Sequence, residues 1–302
     1  MRMRRLFGAA TVAFGSAAGT IGIAQSPVAI GLVREDGYLI PIAVITSKLL
    51  DTPIPTATFV NGEPLSRDEP EWPFKDLGWM LSFGGGRPEA AIQTIEPRTV
   101  RSYCGDQDVW RTSLKLPATR ENVAPTRKIG LAISGGTIEH PQDVVAQPDA
   151  ASRRVARRIV ALTHARELER IAKEPAQWLP SAHSTTERAK VPVRLAKLRR
   201  HSTAGITTYY FEATKAWGAD PQHGLVTGWI VDAPSGLTDH DVAYKFNDDS
   251  FKENERAIVW GVVRYQEKTL WILEWHGYEI EYYTVHEWPA GVERVSISGG
   301  AC

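Results

Sequence analysis

The chain has 302 residues, with 35 basic and 35 acidic side chains and a formal net charge of zero. It is 43% hydrophobic and 23% charged, which excludes a disordered, collagenous or coiled-coil protein. Two cysteines exclude a disulfide-framework miniprotein and a four-cysteine zinc site.

The chain opens on the basic run Met1-Arg2-Met3-Arg4-Arg5, followed from Leu6 to Ala24 by apolar and small residues without a charge. Small side chains at Gly22 and Ala24 precede Gln25, so residues 1–24 read as a cleaved secretory signal peptide. A periplasmic or extracellular location is expected. The general secretory route is the first reading, and Arg4-Arg5-Leu6-Phe7 leaves the twin-arginine route as the alternative. No stable membrane span is expected after signal removal. Without residues 1–24 the chain keeps 32 basic and 35 acidic residues, a net of −3, which is not the charge of a nucleic-acid binder. Cys104 and Cys302 are the only cysteines, and an oxidising compartment lets them pair as a disulfide across a very long loop.

Residues 25–302 are expected to form a single globular domain. Val28–Val33 and Tyr38–Ile45 flank Arg34-Glu35-Asp36-Gly37, a hairpin with an Asp-Gly turn. Pro41 places an edge or a bulge in the second strand, because it has no amide to donate. Residues 46–97 read as short strands and loops, with a glycine run at Gly84-Gly85-Gly86 that lacks the frame of a phosphate loop. Arg98–Tyr103, Val109–Leu116 and Lys128–Ser134 read as further strands.

Asp149 is the expected N-cap of a helix over 150–173, with Val155, Ile159, Leu162, Leu168 and Ile171 as its apolar positions. His164 and Glu167 share a helix face and read as a surface ion pair. Ser184 with Glu187 fits a capping box for a second helix, which Pro192 must break near Val191. The insert is cationic: residues 150–201 hold 13 basic and 4 acidic side chains. Arg153, Arg154, Arg157 and Arg158 repel one another at i,i+4 spacing. They are expected either to meet acidic loops of their own domain or to dock an anionic polymer or an acidic protein.

From Gly205 to Trp288, β-branched and aromatic runs alternate with turns, as in an antiparallel meander. Ile258, Trp260 and Val262 share one face by plain alternation, as do Asp239 and Asp241, with His240 opposite. Leu270 and Ile272 oppose Trp271, Leu273 and Trp275. Apolar residues on both faces require cover on both sides. Thr269–Trp288 exceeds one strand, and Gly277 marks the bend. The expected class is α+β: a predominantly antiparallel meander sheet covered on both faces, sandwich- or barrel-like. β regions 25–148 and 205–298 flank a central cationic helical insert at 149–201.

The sequence carries no nucleophile elbow, metal set or cofactor fingerprint, so no cofactor and no metal are expected. Its densest polar and aromatic cluster is Glu274-Trp275-His276-Gly277-Tyr278-Glu279-Ile280-Glu281. Trp275 and Tyr278 are candidate ligand-binding rings. Glu274, His276, Glu279 and Glu281 are candidate acid/base residues, since carboxylates among aromatics shift their pKa and paired carboxylates cleave glycosides. Alternation around a bulge, with Glu274 and His276 on a solvated face, yields the same letters. The leading expectation is an exported, non-catalytic module that binds a ligand or partner. The alternative is an extracellular glycan hydrolase.

Overall fold

The computed structural model describes residues 28–45, 57–58, 77–83, 89–102, 105–115, 127–173, 184–216, 223–247, 256–277 and 280–301. The expected signal peptide, the glycine run at 84–86, Cys104, Cys302, Tyr278 and Glu279 lie outside the described residues.

The first strands are β1 (Val28–Arg34), β2 (Tyr38–Ile45), β3 (Ala57–Thr58), β4 (Gly78–Ser82), β5 (Ala90–Ser102), β6 (Gly105–Thr112), β7 (Lys128–Ser134), β8 (Thr137–Glu139) and β9 (Gln142–Asp143). Two helices follow, α1 (Ala150–Lys173) and α2 (Thr185–Lys190). The remaining strands are β10 (Arg194–Thr203), β11 (Ile206–Ala216), β12 (His223–Ala233), β13 (Gly236–Asn247), β14 (Arg256–Tyr265), β15 (Lys268–His276), β16 (Ile280–Trp288) and β17 (Val292–Ala301).

Six strands close a barrel in the order β1-β2-β6-β5-β4-β7. The β1–β2 hairpin forms as its sequence predicts, with Gly37 at φ 82 in the turn. The bulge expected at Pro41 is present: Ile30 pairs Ala43 and Gly31 pairs Pro41, leaving Ile42 between them. Strand β1 is buried along its whole length because both its faces are used. Val33, Leu39, Trp79, Leu81, Ile92 and Trp110 pack inside the barrel. Ile30, Leu32, Ile40 and Ile42 pack outside it, against Leu270, Ile272, Tyr283 and Val285 of the next sheet. Each such apolar side chain removed from water contributes about 1.5–3 kcal/mol.

The C-terminal strands form two facing sheets, where the sequence reads as one continuous meander. One has the order β13-β12-β11-β10-β9, the other β3-β17-β16-β15-β14-β8. Tyr210, Trp229 and Val231 of the first meet Ala257, Val262, Trp271, Leu273 and Trp288 of the second. Helix α1 covers the far side of the β9–β13 sheet through Val155, Ile159 and Leu162, against Phe211, Val226 and Ile230. The layers therefore run helix, sheet, central sheet, barrel. The central sheet is covered on both faces, by the barrel on one side and by the β9–β13 sheet on the other.

The insert departs from its expected form in three places. Asp149 caps α1, its Oδ1 accepting from the Ser152 amide at 2.8 Å. Leu168, however, is exposed and Glu167 is buried. Leu168 lies six residues past Leu162, about 120° off the apolar stripe. The Ser184–Glu187 capping box is present, and α2 ends at Val191 before Pro192. Arg194–Thr203 then forms a strand of the β9–β13 sheet, so the helical insert ends before residue 201.

Candidate functional site

Strands β15 and β16 are neighbours inside the central six-stranded sheet, and their opposite faces carry different chemistry. Plain alternation sends Leu270, Ile272, Glu274 and His276 toward the barrel and Trp271, Leu273 and Trp275 toward the facing sheet. Register pairs His276 with Glu281 and Trp275 with Tyr282. The candidate acid/base residues and the candidate ligand-binding ring thus lie on different sides of one sheet.

On the barrel side, Glu274, His276 and Glu281 converge. Their ligand-type atoms lie within 4.8 Å of one another. Lys128 of β7 stands among them, its Nζ 2.8 Å from Glu274 and 2.6 Å from Glu281. Trp260 Nε1 donates to Glu274 Oε2 at 2.7 Å, and the Tyr283 hydroxyl donates to Glu281. His276 Nε2 is 2.8 Å from Glu274. Burial pushes the Glu274 carboxyl up, but the His276 hydrogen bond and the Lys128 charge outweigh it and hold the pKa below the ordinary range. The Glu274 hydrogen bond holds His276 above its usual value. Glu274 is only 1% exposed, so it is not on a solvated face. The Lys128 ammonium pairs with two of these three residues, and the cluster reads as a charge joint between barrel and central sheet.

Trp260 reaches this cluster because of a bulge. Val259 pairs Leu273 and Gly261 pairs Ile272, so Trp260 is the extra residue. It packs on the barrel side, whereas Val262 faces the other sheet. The alternation that groups Ile258, Trp260 and Val262 is broken there.

On the other side of these strands lies a cleft of about 580 Å³ between the two sheets. Tyr210, Trp229, Trp275 and Tyr282 line it, with Asp241 and Glu293 among the polar groups. The Trp275 and Tyr282 rings stack, with centroids 5.8 Å apart and planes 7° apart. Tyr210 meets Trp229 edge-on at 5.1 Å and Trp275 at 6.2 Å. Trp275 Nε1 donates to Thr284 Oγ1 at 2.8 Å, which fixes the indole. His286, next on the same face, is held down to about 4 by burial.

Both carboxylates reach the cleft through bulges. On β13, Asp241 and Val242 stand opposite the single residue Gly228, between the pairs Thr227–Ala243 and Trp229–His240. Asp241 takes φ 48 there, a conformation few non-glycine residues adopt. A Cβ on Gly228 would sit 2.9 Å from the Val242 Cα, so the bulge requires glycine opposite it. The bulge separates Asp239 from Asp241. Asp239 pairs with Arg158 of α1, while His240 turns inward against Trp288 beside Asp241. On β17, Val285 pairs Val295 and His286 pairs Glu293, leaving Arg294 extra. Val295 packs toward the barrel, and Glu293 is thrown to the cleft side. Burial and the charge of Asp241 push the Glu293 carboxyl up.

The four arginines of α1 are unequal. Arg154 pairs with Asp232 at 2.5 Å and Arg158 with Asp239 at 2.5 Å. Arg153 donates to the Pro148 carbonyl at 2.7 Å. Arg157 is exposed. His164 and Glu167 do not form a surface pair. Glu167 is buried with Lys215 and Arg188 and accepts from the Tyr244 hydroxyl at 3.3 Å. Burial, then the Lys215 charge, lower the His164 pKa.

Sequence reasoning finds Glu274, Trp275, His276 and Glu281 but misses Lys128, Asp241's place in a cleft, Glu293, Tyr210 and Trp229. The period-two run Tyr282, Thr284, His286 signals one face of that cleft. Nothing in the letters signals the bulges that turn Asp241 and Glu293 into it. Among the described residues no helix is long and apolar enough to cross a membrane. Comparison with protein-family models, curated proteins and solved structures gave no match. The functional reading therefore rests on the chemistry of the cleft.

Proposed function

We propose that this chain is an exported, non-catalytic module that binds a ligand, or an exposed group of a partner, in the cleft between its two C-terminal sheets. The observation that carries the reading is the pairing of an aromatic lining with two carboxylates, each turned inward by its own bulge. Bulges that re-aim a side chain into a concave site are a recurrent feature of binding sites. Export rests on the basic start and the uncharged stretch before Gln25. The glycan-hydrolase alternative through Glu274 and Glu281 draws less support, because these carboxylates face Lys128 on the other side of the sheet. An anionic partner on α1 also draws less, because Arg154 and Arg158 already hold the chain's own aspartates.

The test is a fluorescence titration against a panel of soluble sugars, amines and amino acids, reading the cleft tryptophans. Ala243 lines the cleft with an exposed methyl, so Ala243→Phe fills it without touching the core. A saturable response that disappears in Ala243→Phe, with circular dichroism unchanged, supports the reading. Ligand binding undiminished by that substitution overturns it.

A further inference from the structure

The charge of the cleft lining is uneven. Asp241 and Glu293 both face the cleft, and among the described residues neither receives a hydrogen bond. Among the described basic side chains, His286 comes within 4 Å of the Glu293 carboxylate, its Nε2 at 3.8 Å. That imidazole stays neutral near pH 7, because burial holds it at about 4, so it does not balance the carboxylate. His240, on the same side of β13, turns toward Thr238 and the edge of Trp288. Lys245, two strand positions beyond Ala243 on the exposed rim, is the cation of the described lining. Two carboxylates of like charge thus share the cleft with four electron-rich rings.

We propose that the cleft takes an organic cation, an ammonium or quaternary ammonium group, seated on the aromatic lining and held by Asp241 and Glu293. The inference rests on the cleft being the binding site. Aromatic ring faces carry negative potential and attract such cations, most strongly when water is displaced. Tyr210 and Trp229 of the lining are almost wholly buried, and the stacked Trp275 and Tyr282 line the cleft with them. Burial first, and then the charge of Asp241, push the Glu293 carboxyl up, and a cation between the two carboxylates offsets both. A neutral polyol can donate its hydroxyls to Asp241 and Glu293 but brings no charge to balance theirs. The fold also holds this arrangement at a local cost: Asp241 keeps a left-handed backbone, and Gly228 is required opposite it.

Isothermal titration calorimetry of the purified chain with choline, its uncharged isostere 3,3-dimethylbutan-1-ol, and cellobiose tests this. Choline is expected to saturate, with the isostere weaker by about tenfold or more. Asp241→Asn with Glu293→Gln is expected to erase that preference while the far-ultraviolet spectrum stays unchanged. Glu293→Gln alone, which leaves the Asp241 bulge untouched, is expected to reduce choline affinity severalfold. Equal binding of the isostere, or unchanged choline affinity in the double variant, overturns the cation assignment. If cellobiose binds, is lost in Trp275→Ala, and choline does not bind, the cation assignment fails and the cleft stands. If choline binds but ignores both Trp275→Ala and Ala243→Phe, the cleft reading fails with it.

Discussion

The Lys128 ammonium of the barrel lies 2.8 Å from the Glu274 carboxylate of the central sheet, with the two side chains 5% and 1% exposed. An ion pair this deep tolerates loss of both charges better than loss of one. Lys128→Met is expected to destabilise the chain by about 3–5 kcal/mol, because Glu274 keeps a buried charge without the lysine that pairs with it. Lys128→Met with Glu274→Met is expected to recover a large part of that loss. Urea denaturation of the three proteins checks it, and a double variant weaker than the single would contradict a paired joint.

Three groups set opposite pH slopes. His276 is raised by its bond to Glu274, so its contribution is fully present below about 6.5 and is lost as pH rises through the raised folded value. Glu274 is lowered despite its burial, so its contribution is present above about 4.5 and is lost as pH falls through the lowered value. His286 is lowered to about 4 by burial, so it costs stability progressively from pH 6.5 downward, on the order of 3 kcal/mol once below 4. Stability is therefore expected to peak near pH 6.5. His286→Gln should flatten the acid limb between 6.5 and 4, and His276→Gln the alkaline limb. Melting temperatures across pH 4–9 decide this, and unchanged limbs in either variant would refute its part.

Gly228 stands opposite the bulge that carries Asp241. A methyl group there meets the Val242 Cα and Cγ2 at 2.9 Å and Phe211 at 3.3 Å. Gly228→Ala is expected to cost about 1–3 kcal/mol, as other overpacked positions do. It should also weaken any cleft ligand, because the bulge must shift. Gly205→Ala, with open space around its Cβ but φ 78, separates backbone strain from crowding. Its ligand affinity should match that of the unmodified chain.

Arg154 and Arg158 are about half exposed while paired with Asp232 and Asp239. Arg154→Gln and Arg158→Gln are each expected to cost no more than about 1 kcal/mol, and less in high salt. Arg153 and Arg157 hold no carboxylate of the described chain. Removing that second pair should lower the salt needed for elution from heparin more than removing the first. Elution that follows total charge alone would set aside a distinct docking face.

Elements whose signals are local were legible in the letters. The Asp36-Gly37 turn, the Asp149 cap, the Ser184–Glu187 box and the break at Gly277 each depend on residues within a few positions of one another. Pro41 announced an edge or a bulge because it lacks an amide, and the structure holds the bulge. Trp260, Asp241 and Arg294 lack any such mark, and their bulges follow from how whole sheets settle against each other. Residues 194–203 hold four of the thirteen basic side chains of 150–201 yet pair as a strand with β11, after Pro192 has closed the helix before them.

By itself the sequence determined a mainly antiparallel β protein with a cationic helix, and the one stretch in which carboxylates, histidine and tryptophan crowd together. Local hydrogen bonding and side-chain period are enough for that. Only the tertiary structure decided that Glu274 and Trp275, adjacent in the chain, serve a buried charge joint and an open cleft respectively. It also brought in Lys128, Tyr210, Trp229, Asp241 and Glu293, since alternation puts neighbours on opposite faces and packing selects what each face meets.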